Sequence, residues 1–175
     1  MIKIVPYAAE HAAGAVSVIL PIQQSEFGVP ITLDAQPDLL DIPGFYQRNC
    51  GNFWVAVAGS EDADAGVTRT EVVGTIGLLD IGNRQAALRK MFVAAAYRGA
   101  EQSVAKQLLD ELLVWSAKQG ITEILLGTTD KFLAAHRFYQ KNGFSEVQKS
   151  SLPQTFPVMA VDSKFYRLVL SPHAV

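Results

Sequence analysis

The residues best placed to do chemistry surround a turn, Tyr97-Arg98-Gly99, between an apolar run ending at Val93 and a helical pattern starting near Ser103. The first N–H groups of a helix have no partner within it, and the helix dipole adds partial positive charge there, so such a turn binds anions. Gly99 permits close approach of backbone to a ligand, and Arg98 adds a fixed positive charge. Taken alone, the same residues also describe an ordinary strand-to-helix turn with a surface arginine. Other reactive side chains are sparse. Cys50 is the only cysteine, which excludes an internal disulfide and a cysteine-based metal site, and a lone cysteine is more often a small hydrophobe than a nucleophile. His11, His136 and His173 share no spacing that would build a metal site, so no metal is expected.

The chain that must position this turn has 175 residues, enough for one domain with a genuine core. Its 49% hydrophobic and 18% charged residues describe a globular protein rather than a disordered one. A net charge of -2 provides no broad positive field, which argues against nucleic acid as the main ligand. Pro6, Glu10 and His11 interrupt the start, so it reads as mature protein rather than as a secretion signal. No run approaches the apolar length of a membrane span. The expectation is a soluble, cytoplasmic protein from a reducing compartment, with no membrane partner.

Along the chain, Ile2, Ile4 and Pro6 start a short strand, and Val16, Ile19 and Leu20 recur at helical spacing until Pro21. Residues 22–49 carry Pro30, Pro37 and Pro43 among short apolar clusters, which predicts a loop with one or two helical turns, a candidate substrate lid. Phe53 to Ala58 and Glu71 to Leu79 are strand-like runs around an exposed hairpin loop, SEDADAGVTRT, and should pair antiparallel. A strand over Ala86 to Val93 leads into a helix over Val104 to Lys118, with Val104, Leu108, Leu112 and Trp115 on one face. Ile121 to Gly127 is the next strand. Phe132 to Asn142 is a helix stopped by Asn142-Gly143, with Lys141 complementing its dipole. Phe144 to Gln148 and Lys164 to Leu170 complete an α/β sheet covered by helices.

Three stretches in this order, LRKMFVAAAYRGAEQSVAKQLLDELLVW, ILLGTT and FLAAHRFYQKNGF, resemble the GNAT acetyltransferase superfamily. The resemblance covers residues 72–147 well, and LPQTFPVMAVDSKFY near the end resembles a subgroup of small bacterial-type members. It implies one domain over residues 1–175, with a mixed, mostly antiparallel central sheet of about seven strands flanked by about four helices. It also implies an N-acetyltransferase that uses acetyl-CoA as cosubstrate and a primary amine of a small molecule or peptide as acceptor, by direct attack in a ternary complex. A homodimer is compatible with it.

The resemblance assigns roles residue by residue. Arg98, Gly99, Ala100, Glu101, Gln102, Ser103, Val104 and Ala105 would form the pyrophosphate loop. Ser103-Val104-Ala105 match the last three places of the family's motif, which puts Ala100 where Arg or Gln usually stands, lengthens the segment from Arg98, and places acidic Glu101 in an anion site. Met91, Phe92 and Val93 match the strand whose splayed end offers backbone amides to the pantetheine arm and acetyl carbonyl. One such donor at a developing oxyanion contributes about 3 kcal/mol. Tyr139 matches the tyrosine beside the CoA sulfur and would protonate the leaving thiolate, since a phenol near pKa ~10 and a thiol near ~8.5 are roughly balanced. Phe132 stands where many members have a pantetheine-contacting asparagine, and Ala87 where many have a basic glutamate. Glu26, Asp34, Glu71, Asp80 or a water chain remain as substitutes for that base, and Arg89 and Lys90 could attract the CoA phosphates or an acidic substrate. Ala87 and the altered loop also keep open a non-catalytic acyl-CoA-binding or sensory module on the same fold.

Overall fold

A computed structural model describes residues 1–62 and 67–171. The middle of the predicted hairpin loop, and His173, lie outside the described residues. The first strand, β1 (Ile2–Pro6), is followed by helix α1 (Ala12–Pro21). Pro21 does not stop this helix. Its φ of -61° is helical, and the chain continues through a wider π-type turn, Ile22–Glu26, in which Phe27 N–H donates to the Ile22 carbonyl at 3.0 Å. Two single-turn helices, α2 (Pro37–Leu40) and α3 (Ile42–Phe45), follow in the lid region, each with a proline near its start, where no amide is needed.

Strands β2 (Asn52–Asp62), β3 (Val67–Gly82) and β4 (Gln85–Val93) form an antiparallel meander. Asn83 and Arg84 both take positive φ (54° and 59°) between Gly82 and Gln85, the two-residue turn whose twist matches a hairpin. Helix α4 (Val104–Lys118) crosses to β5 (Glu123–Thr128), which lies parallel to β4. Helix α5 (Leu133–Lys141) then leads to β6 (Ser145–Val147), and β7 (Lys164–Val169) inserts between β5 and β6. Among the described residues the sheet order is β1-β2-β3-β4-β5-β7-β6, seven strands with one parallel pair, accompanied by five α-helices, two of them single turns.

Alternation along β2 divides the core into two layers. Trp54 and Ala56 face α4 and join Leu108, Leu112 and Ile124, whereas Phe53 and Val55 face α1 and join Ile19 and Tyr46. On α4 the predicted stripe is buried at Val104, Leu108 and Leu112, each of which contributes about 2 kcal/mol of apolar burial. Trp115 is half-buried and donates its indole N–H to the Cys50 carbonyl at 2.9 Å. Gly74 lets the first turn of α4 settle on the sheet. A Cβ there would meet Leu108 at 3.1 Å and Val104 at 3.3 Å.

Candidate active site

Strands β4 and β5 pair only over Gln85–Ala87 and Glu123–Leu125. Beyond Ala87 and Leu125 they diverge, although both continue, and a cleft of about 690 Å³ opens between them. The divergence coincides with a bulge in β4. Thr75 faces Phe92 but Gly77 faces Arg89, so Lys90 and Met91 together oppose Ile76. Lys90 sits at φ 54°, a conformation that costs a non-glycine residue about 1 kcal/mol or more and is held by the Thr75 hydroxyl donating to its carbonyl at 2.6 Å. The bulge takes the main chain at Lys90–Met91 out of the ladder beside the cleft, which Met91, Phe92 and Val93 all line.

At one end of the cleft β4 runs into the predicted anion-binding turn. Gly99 has φ 113°, a value open to glycine, and Ser103 adopts the left-handed conformation (φ 50°) immediately before α4. Ser103 N–H donates to the Gly99 carbonyl at 3.3 Å, which closes a turn over Ala100, Glu101 and Gln102. Among the described residues the amides of Gly99, Ala100, Glu101 and Gln102 have no acceptor, and the first intrahelical bond is Gln107 N–H to Ser103, so Val104 and Ala105 keep free amides as well. This run of uncommitted donors at a helix N-terminus fits a diphosphate. Glu101 is exposed. Arg98 is engaged elsewhere: its Nε donates to the Val93 carbonyl at 2.7 Å, and its guanidinium forms a two-point pair with Glu26. It therefore ties the Ile22–Glu26 turn of the candidate lid to the end of β4.

Tyr139 lies on the opposite wall. A Schellman motif ends α5: Gly143 (φ 91°) and Phe144 donate to Gln140 and Tyr139 carbonyls at 3.2 and 3.0 Å. The Tyr139 ring packs against Phe144 and Tyr166 (centroids 5.5 and 6.0 Å), and its hydroxyl reaches the Met91 sulfur at 3.7 Å. Burial pushes this hydroxyl well above the usual phenol value, which keeps it protonated. Phe132, also on the cleft, stacks against Phe27 of the lid with centroids 3.8 Å apart. His136 is buried, with Nε2 2.8 Å from the Thr129 carbonyl.

The structure sorts the carboxylates. Asp34 and Glu71 are exposed, and neither they nor Asp80 line the cleft. Asp80 accepts from the Cys50 and Gly82 amides. Glu26 lines it, but the Arg98 hydrogen bond holds its carboxyl below the ordinary range, which makes it a poor base. Ala87 is fully buried in the sheet. Two carboxylates escape the sequence reading. Asp38, buried on α2, accepts from the Tyr46 hydroxyl at 2.6 Å and faces Lys90 and Arg89 at 3.6 and 3.8 Å. Asp162, before β7, lines the cleft against Gly127 of β5. The only signal for either was position, one between prolines of the lid and one in the loop before the last strand.

Residues 18–144 match the model of the Acetyltransferase (GNAT) family. The chain belongs to that family. It is 38% identical to a GNAT-family acetyltransferase of Staphylococcus aureus Mu50, whose crystal structure superposes with a TM-score of 0.87 over 98% of this chain and all of that one. N-acetyltransferase family 8 member 2 of Rattus norvegicus is 32% identical over 116 residues, 63% of this chain and 46% of that protein. The chain thus spans about half the length of the curated relatives it matches. PaiA N-acetyltransferase of Thermoplasma acidophilum, solved with coenzyme A, shares the fold at 17% identity and a TM-score of 0.69, over 97% of this chain and 99% of that one. Among the described residues no group of His, Cys, Asp or Glu could hold a metal ion, and no helix is long and apolar enough to cross a membrane.

Proposed function

We propose that residues 1–175 form one N-acetyltransferase domain that moves the acetyl group of acetyl-CoA to an amine by direct attack in a ternary complex. The observation that supports this reading most is the cleft where β4 leaves β5, because its lining includes the bulge at Lys90 and Met91, Tyr139, and Arg98 and Ala105, which flank the diphosphate-ready turn. Acetyl-CoA supplies an acetyl group activated as a thioester. The amides of Gly99 to Gln102 and of the first turn of α4 hold its pyrophosphate, and the main chain of Met91, Phe92 and Val93 holds the pantetheine arm and the thioester oxygen. These donors are backbone groups, so Ala100 and the outward Glu101 leave the site intact. Burial keeps Tyr139 protonated but also makes it a weaker acid than a free phenol, so it gives its proton to the departing sulfur only because the thiolate, desolvated in the same cleft, becomes more basic as well.

Thiol release from acetyl-CoA across a panel of amines tests the reading. CoA binding without turnover of any amine would sink it in favour of a binding module, the alternative that buried Ala87 supports. In a catalytic protein Tyr139→Phe lowers kcat about 100-fold and leaves the CoA Kd unchanged.

A further inference from the structure

Across the Lys90 bulge from the anion-binding turn, the cleft carries two opposite charges that do not satisfy each other. The Arg89 side chain is only 13% exposed and lies over the Phe45 ring at 5.4 Å. Its polar neighbours are poor. Met159 sulfur lies at 3.5 Å from Nη2, and Asp38 at 3.8 Å is beyond hydrogen-bond reach. Asp38 is also already shared between Tyr46 and Lys90. A guanidinium has five N–H donors, and a nearly buried one with most of them uncommitted favours a planar anion such as a carboxylate.

Asp162 stands on the β5 side. Its carboxylate lies on Gly127, where a Cβ would come within 2.5 Å of Oδ2. Oδ2 accepts the Met159 N–H at 2.9 Å, and among the described residues Oδ1 accepts nothing. Met159 therefore touches both charges, Arg89 with its sulfur and Asp162 with its amide, and sets their spacing. Within ion-pair distance (4.0 Å), Arg89 meets Asp38 and not Asp162. The two charges thus face the cleft as separate ends.

We propose that Arg89 and Asp162 form the acceptor subsite, and that the acceptor is an aminocarboxylate with its carboxylate on Arg89 and its amino nitrogen beside Asp162. This rests on the acetyl-transfer reading. The amine, which reacts after losing its ammonium proton to solvent, uses its nitrogen lone pair to form the bond to the acetyl carbon, the carbon–sulfur bond breaks, and its electron pair leaves on sulfur, which takes the Tyr139 proton. The surplus proton on nitrogen, acidified as the bond forms, passes to Oδ1 of Asp162, and both side chains then re-equilibrate with solvent. An amine without a carboxylate would bring a positive charge toward Arg89, which has Asp38 at 3.8 Å but no carboxylate within hydrogen-bond reach, so the subsite selects by repulsion as well as attraction.

The test compares free L-α-amino acids with their primary carboxamides, at saturating acetyl-CoA, in thiol-release assays and in calorimetric titrations with CoA present. The acids should exceed the matched amides in kcat/KM by roughly 10- to 100-fold, the size expected of charge-assisted hydrogen bonds. Arg89→Met should abolish that preference without changing the CoA Kd, and Arg89→Lys should restore part of it. Asp162→Asn should lower kcat about 100-fold with the acid's KM little changed. Equal use of acids and amides by the native protein, or a preference that survives Arg89→Met, overturns the proposal, and the native comparison stands even if a variant fails to fold. If no amine is acetylated, the acetyl-transfer reading fails separately, and calorimetry still reads the subsite: amino acids should bind where amides do not, and binding of neither sinks it.

Discussion

The two ends of the cleft are built from different parts of the polypeptide. The proposed phosphate end offers main-chain amides from one continuous stretch, 99–105, so on this reading the identities of Ala100, Glu101 and Gln102 matter less than the turn they form. The proposed acceptor end rests on side chains far apart in sequence: Arg89 and Asp162, spaced by Met159, with Asp38 of α2 and Lys90 of the β4 bulge packed behind Arg89. Main-chain sites tolerate substitution and are vulnerable to changes in backbone conformation. Side-chain sites have the opposite sensitivity, and where the charges are buried their loss reaches the fold itself.

The largest effect should therefore come from Asp38→Ala. It leaves the Tyr46 hydroxyl and the nearly buried Lys90 ammonium without their carboxylate, and breaking a buried pair from one side costs about 3 kcal/mol. Burial and Arg89 already pull the Lys90 pKa down, so part of that cost is relieved by its deprotonation. Thermal unfolding should shift down by roughly 6–12 °C for a chain of this size, and a shift below about 2 °C would show that the cluster does not brace the lid.

The same contrast decides what could be read in advance. The strand, turn and helix of the proposed phosphate end were legible because they are consecutive: an apolar strand, Arg98-Gly99, then helical periodicity from Val104, with α4 starting and ending at the predicted residues. The Asn142-Gly143 stop and the β2–β3 pairing were legible for the same local reason. Asp162 was not, because it reaches the cleft only through the insertion of β7 between β5 and β6, a long-range event with no local pattern. Nor was the bulge, since a lysine at positive φ violates local preference and is imposed by Thr75 and by the divergence from β5. Arg98 was legible as a cation, but its partner Glu26 lies 72 residues away on the lid.

At the phosphate end the corresponding lesion is a conformational one. Gly99→Val forces a β-branched residue into φ 113°, at a cost of about 1–3 kcal/mol that falls on the turn. Nothing lies within 4 Å of the added Cβ, so the rest of the fold has no clash to absorb. CoA affinity should fall about tenfold by calorimetry, which is roughly 1.4 kcal/mol. Unchanged affinity would mean that these amides do not hold the pyrophosphate.

A pH profile separates the ends further. Burial raises the Asp162 pKa, opposed by the Met159 amide and by Arg89 across the cleft, whose lining also carries Lys90, Lys131 and the paired Arg98 and Glu26. A base works only as the carboxylate, so kcat/KM should fall as pH drops through this raised value, earlier than for an ordinary aspartate. In Asp162→Asn that acid limb should disappear from the residual rate. A limb that persists would assign it to another group and remove Asp162 from proton transfer.

The smallest effect should belong to Arg98→Ala, the one cation in the phosphate turn. A site that relied on that charge would lose much of its CoA affinity. Here the guanidinium is fixed on Glu26 and the Val93 carbonyl, and both side chains of the pair are 38% exposed, so solvent screens it to under about 1 kcal/mol. CoA affinity should change less than about threefold, because the amides of 99–102 stay where Gly99 and Ser103 set them. What should change is the lid. Without Arg98 the Ile22–Glu26 turn loses its tie to β4, and proteolysis within residues 22–36 should quicken in the absence of ligand. Glu26→Gln, which weakens the same tie while leaving the cation free, should speed cleavage equally and leave CoA binding level or slightly tighter. If Arg98→Ala instead weakens CoA binding tenfold while Glu26→Gln does nothing to the lid, the phosphate end also depends on a side chain, and the contrast between the two ends breaks down.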